Sequence, residues 1–280
     1  MRSLRYYARK QSTRAGSLIM QWMTPKSYFK TLVLVEGWED AFLYEQVFDP
    51  FKSFVRDCGG CDNVVGVNAY VKRYKPAITS ISILDGDFRH LMARANDKEN
   101  LFYTDTHDME TLVMFSPYCF EGVKKVLHSC SPKHNQIIKD LRLLSYMRWY
   151  NQYANLKYVD HNLDIVNMKQ RELFSYDSLI SRFVPSSGSK KQWLKRCFDT
   201  FKNKYPRAKS EYLLNGHDYV DRFCYYAKHK DGKQVSKDDV LLAMAIVCDI
   251  NWFESTRLCQ AVRKWEKKHF KTVLLNDFPG

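Results

Sequence analysis

Two short runs near the start of the chain are mainly apolar and rich in β-branched residues: Thr31–Val35 and Ile81–Leu84, the second with Ser82 inside it. Short runs of this kind predict strands covered on both faces, as in a parallel sheet. After the first run, Phe42, Leu43 and Val47 recur at helical spacing, which predicts a helix over Glu39–Phe48. Val64–Val67 predicts a short second strand, with the glycines of Cys58-Gly59-Gly60-Cys61 as a turn before it. Leu101–Tyr103 predicts a fourth strand. Strand and helix thus alternate over residues 31–115, the pattern of a parallel, right-handed α/β sheet with flanking helices.

Beyond Pro117 the period becomes helical. Leu141, Leu144 and Tyr146 share one helix, and Trp193, Leu194, Cys197, Phe198 and Phe201 form an apolar stripe in another. Leu258, Ala261, Val262 and Trp265, at i, i+3, i+4 and i+7, mark a last one. Pro185–Ser189 reads as a loop. The expected organisation is a basic lead-in over residues 1–30, an α/β domain over 31–130 and a mainly helical region over 131–280.

At 280 residues and 45% hydrophobic, the chain can bury a sizeable core. The longest apolar run, Val240–Cys248, is too short to span a bilayer, and no secretory signal is read. No membrane partner is expected, and the cytoplasm is the expected location. Most of the eight cysteines fall in apolar or helical stretches and read as packed free thiols. Cys58 and Cys61 form a CxxC, but no second CxxC or CxxH supplies the rest of a zinc site.

Charge is unevenly spread. Residues 1–30 carry seven Lys/Arg and no acid; residues 31–130 carry 10 bases and 15 acids; residues 131–280 carry 27 bases and 16 acids. The arginine-rich start is read as a transit peptide, as a phosphate-touching arm, or as a solvated lead-in. An acidic segment that can hold cations, beside basic segments that can hold phosphates, suits an enzyme of nucleic acids.

The candidate chemistry stands at strand ends. Glu36-Gly37 directly follows the first strand, and Asp85-Gly86-Asp87 directly follows the third. Ligands of open α/β sheets gather beyond the carboxyl ends of the strands, so adjacent strands would bring these acids together. Clustered carboxylates repel one another unless a cation lies among them, and Mg²⁺ prefers such hard oxygen ligands. The competing reading makes Glu36 a helix-start acid and Asp85/Asp87 an Asx turn.

This arrangement resembles the Toprim domain of primases, topoisomerases and OLD-type nucleases, in which a Glu follows the first strand and an Asp-x-Asp the third. Glu36 matches the first element, Asp85 and Asp87 the second, and Asp40 the acid four residues beyond the Glu in nuclease members. Val35-Glu36-Gly37 with Asp40, Leu84–Phe88, Asp108–Leu112 and Asn215–Asp218 further resemble the stand-alone Toprim nucleases of bacterial anti-phage defence, such as the nuclease subunit of PARIS systems. The resemblance implies an Mg²⁺- or Mn²⁺-dependent endonuclease, a toxic ribonuclease acting on tRNA rather than DNA. It also implies a bacterial host, restraint by an ABC-type ATPase partner and a homodimer on release. Asp85 and Asp87 would then be catalytic metal ligands and Glu36 a catalytic metal ligand or general acid/base, with Asp40 as a further ligand or a support for one.

Other residues carry two readings each. Glu110 opens a helix after the fourth strand and reads either as a further metal ligand or as an acid favoured by the helix dipole. His217 reads as an acid/base or as a cap or interface histidine. Residues 189–209 carry eight Lys/Arg and one acid, so Lys190, Lys191, Lys195 and Arg196 are candidate phosphate contacts, as are Lys72, Arg73 and Lys75 beside the expected second strand. The rival to an enzyme is a non-catalytic subunit that binds nucleic acid or an ATPase, with structural carboxylates.

Overall fold

The run Thr31–Val35 forms strand β1, buried at every position. Ser80–Leu84 forms β3, likewise buried throughout, and Leu101–Tyr103 forms β4. The remaining strand, β2, is Ser53–Asp57. The computed structural model describes residues 16–19, 22, 29–129, 132–154, 168–173, 175–183 and 188–275. Among these the four strands make one parallel sheet in the order β2-β1-β3-β4. The fold class is therefore α/β, a parallel sheet with helices around it, followed by a mainly helical region.

The expected second strand, Val64–Val67, is instead part of helix α2, Cys61–Tyr74. Helix α1 is Trp38–Tyr44. The valines that face inward in α2 are Val64, Val67 and Val71, at i, i+3 and i+7, a helical period that a four-residue window conceals. The glycine turn before it is present: Gly59 and Gly60 have φ of 70° and 112°, and Gly60 is the N-cap of α2. The true β2 alternates buried and half-exposed positions because it is an edge strand, so its sequence lacks an apolar run.

Helices α3 (Met109–Met114), α4 (Pro117–Val126), α5 (His134–Tyr153), α6 (Gln170–Leu173), α7 (Tyr176–Phe183), α8 (Gly188–Lys204), α9 (Ser210–Leu213) and α10 (Gly216–Tyr226) follow. Helices α11 (Lys237–Val247), α12 (Ile250–Phe253) and α13 (Arg257–His269) complete the order. Gly188 and Ser189, expected in a loop, open α8, while Pro185–Ser187 lie outside the described residues. No helix among the described residues is long and apolar enough to cross a membrane.

The chain divides into two compact units. One draws on Met1–Gly86, Ala95–Met109 and Met244–Gly280; the other on Asp87–Arg94 and Glu110–Ala243. The division is not sequential, because the C-terminal helix belongs with the sheet. Asp105 accepts hydrogen bonds from the Arg257 and Leu258 amides at 2.5 and 2.8 Å, at the start of α13. Trp265 Nε1 donates to Asn100 at 2.9 Å, and Phe48 bridges to Leu274. The expected lead-in falls largely outside the described residues, but Ile19 is buried in the sheet core with Leu32, Leu34 and Val64.

The second unit packs around α5. Its Asp140 and the Arg222 of α10 are both fully buried and form an ion pair at 2.6 Å. Arg222 also donates to the Met168 carbonyl at 3.1 Å. Leu194, Phe198 and Phe201 of α8 are buried as the stripe predicts, but Trp193 is 48% exposed and stands off it. Trp193 sits one position, about a quarter turn, ahead of Leu194, which rotates it out of the packed face.

Candidate functional site

Parallel pairing sets the register between β1 and β3: Leu32 faces Ser80, Val33 faces Ile81 and Leu34 faces Ser82. Continued past the strand ends, this register brings Glu36 to the start of the Asp85-Gly86-Asp87 loop. There the Asp85 amide donates to Glu36 Oε1 at 3.0 Å. Two acids 49 residues apart thus meet at the carboxyl ends of adjacent parallel strands, in half-buried positions.

The loop is fixed from its other side by β4. The Gly86 amide donates to Thr104 Oγ1 at 2.7 Å, and that hydroxyl donates to the Thr106 carbonyl at 3.0 Å. Asp87 follows with φ of 44°, in the left-handed region that few side chains other than Asn and Asp adopt. Its carboxylate pairs with Arg89 at 2.5 Å.

Asp40 is buried in the first turn of α1, and its Oδ2 accepts the Gly37 amide at 2.9 Å. That bond braces the turn that carries Glu36, a capping function for an acid at this position. Four residues on, Tyr44 is fully buried, and its hydroxyl has no hydrogen-bond partner among the described residues. Burial first, and then the charges of Asp40, Asp85 and Asp105 and the Cys248 thiol, push this phenol well above its ordinary range.

Glu110 and His217 also come together. Glu110, 5% exposed in the first turn of α3, lies 3.2 Å through Oε1 from Nδ1 of His217, whose side chain is 63% exposed. The cap of α10 is not His217 but Asn215, which accepts the Asp218 amide at 3.2 Å. His217 is thereby left to face Glu110, 107 residues earlier in the chain.

The basic candidates are placed differently. Lys72, Arg73 and Lys75 are exposed at the C-terminal end of α2. Since α2 joins two parallel strands, it must return the chain to their amino ends, so these bases lie at the sheet edge opposite Glu36 and Asp85. They therefore do not border Glu36 and Asp85, because the segment expected as a second strand beside them is itself helix α2. Lys195 and Arg196 are exposed and Lys191 half-buried on α8, which also contains Lys190.

Two features at the β4 end escape sequence pattern. Thr104 is one. The other is the buried pair of His107 and Asp108, with Nδ1 and Oδ2 2.9 Å apart. Asp108 opens the Asp108–Leu112 string already noted in the sequence, whereas His107 and Thr104 show only as part of a polar run, Thr104–Asp108, directly after an apolar strand at the same sheet edge as Glu36 and Asp85. Cys58 is buried, and its thiol is pushed up to about 12 by that burial, with Asp57 and Glu36 adding to it, which makes it unreactive.

Glu36 and Asp85 offer only oxygen donors, which suit a hard divalent cation such as Mg²⁺ or Mn²⁺. No protein-family model matches the chain, and no curated protein matches it.

Proposed function

We propose that the chain is a metal-dependent endonuclease, of the Toprim kind, hydrolysing phosphodiester bonds. The observation that carries this is the meeting of Glu36 and Asp85 at the carboxyl ends of β1 and β3. A helix cap or an Asx turn requires neither acid to find the other across 49 residues.

The residues that would hold Mg²⁺ or Mn²⁺ are Glu36 and Asp85, with Asp87 two residues further along the chain. When bound, the cation supplies charge for the phosphate and a more acidic water. The chain's own part is to keep the carboxylates in place. Glu36 accepts the Asp85 amide through Oε1, which sets the direction of its carboxylate. Thr104 holds Gly86, and Asp40 holds Gly37, so both turns are fixed before substrate arrives. His217, set against Glu110, is the acid/base candidate.

The substrate proposed is RNA, tRNA in preference to DNA, and the setting a bacterial cytoplasm, where the chain acts as a toxic effector of anti-phage defence restrained by a partner ATPase. The test is incubation of purified protein with labelled tRNA and with plasmid, in Mg²⁺ or in chelator. Cleavage of tRNA that needs Mg²⁺ supports the assignment. Cleavage that persists in chelator removes the metal, and cleavage of plasmid alone removes the RNA assignment.

A further inference from the structure

Helix α8 has one face built for packing and another that is not. Leu194, Phe198 and Phe201, at i, i+4 and i+7, are buried. The Phe201 ring lies 4.7 Å from Trp149, 5.2 Å from Tyr150 and 5.0 Å from Tyr205, between centroids. These contacts fix α8 on α5. Trp193 contributes little to them, with nearly half of its surface in water. A tryptophan gives its large hydrophobic stabilisation only when covered, so packing does not account for one on the solvated side.

Its surroundings are cationic. Lys195, Arg196, Lys202 and Lys204 of α8 are all exposed, and the helix has one acid, Asp199. Across on α5, Tyr153 is 54% exposed while its ring meets Phe201 at 5.2 Å. Trp193 therefore stands on the solvated side of α8 on one strip with Arg196 and Lys204, at i+3 and i+11, and Tyr153 stands half-exposed on the helix packed against it.

We propose that this face of α5 and α8 binds single-stranded nucleic acid, with Trp193 and Tyr153 stacking unpaired bases and Arg196 and Lys204 taking the phosphates. It deepens the nuclease reading and rests on it, naming the form of the substrate: unpaired nucleotides, as in a loop or an open strand. Every base has a π-face, so stacking holds bases without reading their identity, while cations follow the backbone. A duplex keeps its bases stacked inside and can use only the cations. An acidic protein partner would likewise meet the cations, but it would not separate paired from unpaired nucleic acid.

The test uses the full-length protein in chelator, so that binding is read without cleavage. A labelled RNA hairpin with a long unpaired loop is titrated beside a blunt duplex of equal phosphate count. Trp193→Ala should weaken hairpin binding by about tenfold and leave the duplex nearly unchanged. Tyr153→Ala should weaken the hairpin in the same sense, and Trp193→Phe should retain most of the affinity. Arg196→Gln should weaken both ligands and lower the salt slope by about one. Thermal melting near the wild-type temperature certifies each variant. Equal loss on both ligands, no loss on the hairpin, or a wild type without preference for the hairpin overturns the proposal. A protein that binds the hairpin through Trp193 yet never cleaves it would sink the nuclease reading and keep this surface. A protein that cleaves with Mg²⁺ but is indifferent to Trp193 would do the reverse.

Discussion

The Asp85 backbone amide donates to Glu36 Oε1 at 3.0 Å, joining the ends of β3 and β1. The bond orients one carboxylate by the backbone of the other acid's loop. It makes the placement of Glu36 a property of the sheet register rather than of a flexible side chain.

Thr104 supports that placement from β4. Thr104→Val removes the acceptor of the buried Gly86 amide and should cost about 1–3 kcal/mol in chemical denaturation. Thr104→Ser keeps the hydroxyl and should stay much closer to the wild type. A valine variant as stable as the wild type would show that Gly86 finds another acceptor and that the loop is not fixed here.

Much of the sheet unit was legible in the sequence, and the reason is burial on both faces. β1 and β3 are covered throughout and carry no charge, only apolar residues with Thr31, Ser80 and Ser82 among them, so Glu36 and Asp85 stand out as the first charged residues after them. β2 was not legible, because an edge strand with Arg56 and Asp57 in it looks like a loop. Val64–Val67 misled because β-branched residues favour strands locally, while their burial follows a helical period. The pairing of Glu110 with His217 comes from tertiary packing, which no local spacing records, and the burial of the adjacent His107 and Asp108 runs against their polar sequence.

In the helical unit, Asp140 and Arg222 form an ion pair with no exposure on either side. Asp140→Ala would strand a buried guanidinium and should cost about 3–5 kcal/mol by urea unfolding. The double replacement Asp140→Leu with Arg222→Met should be less damaging than the single one, since it removes both charges. A double variant no better than Asp140→Ala would show that the remaining Arg222 contacts, to Met168 and Tyr226, dominate.

His134 gives the unit a pH dependence. Desolvation lowers its pKa below the ordinary 6.5, and its Nδ1 lies 2.5 Å from the Tyr219 hydroxyl. The unfolded chain takes a proton on this ring near pH 6.5, whereas the folded ring takes it only at lower pH. Between those values the unfolded state holds more protons, so stability falls as pH falls. His134→Gln keeps an acceptor but does not titrate. Its melting temperature should therefore drop less than that of the wild type from about pH 7.5 to about pH 5. Equal drops in both proteins would contradict the assignment.

The central claim is that Glu36 and Asp85 hold a divalent cation, and the most direct measurement is the thermal shift given by Mn²⁺ or Mg²⁺. Glu36→Gln keeps an acceptor for the Asp85 amide, and Asp85→Asn keeps the backbone donor, so both should melt near the wild-type temperature in chelator. On adding the cation, the wild type should melt higher, because a ligand that binds only the folded state stabilises it. Both variants should lose that shift together with tRNA cleavage. Variants that shift and cut as the wild type does would contradict the account.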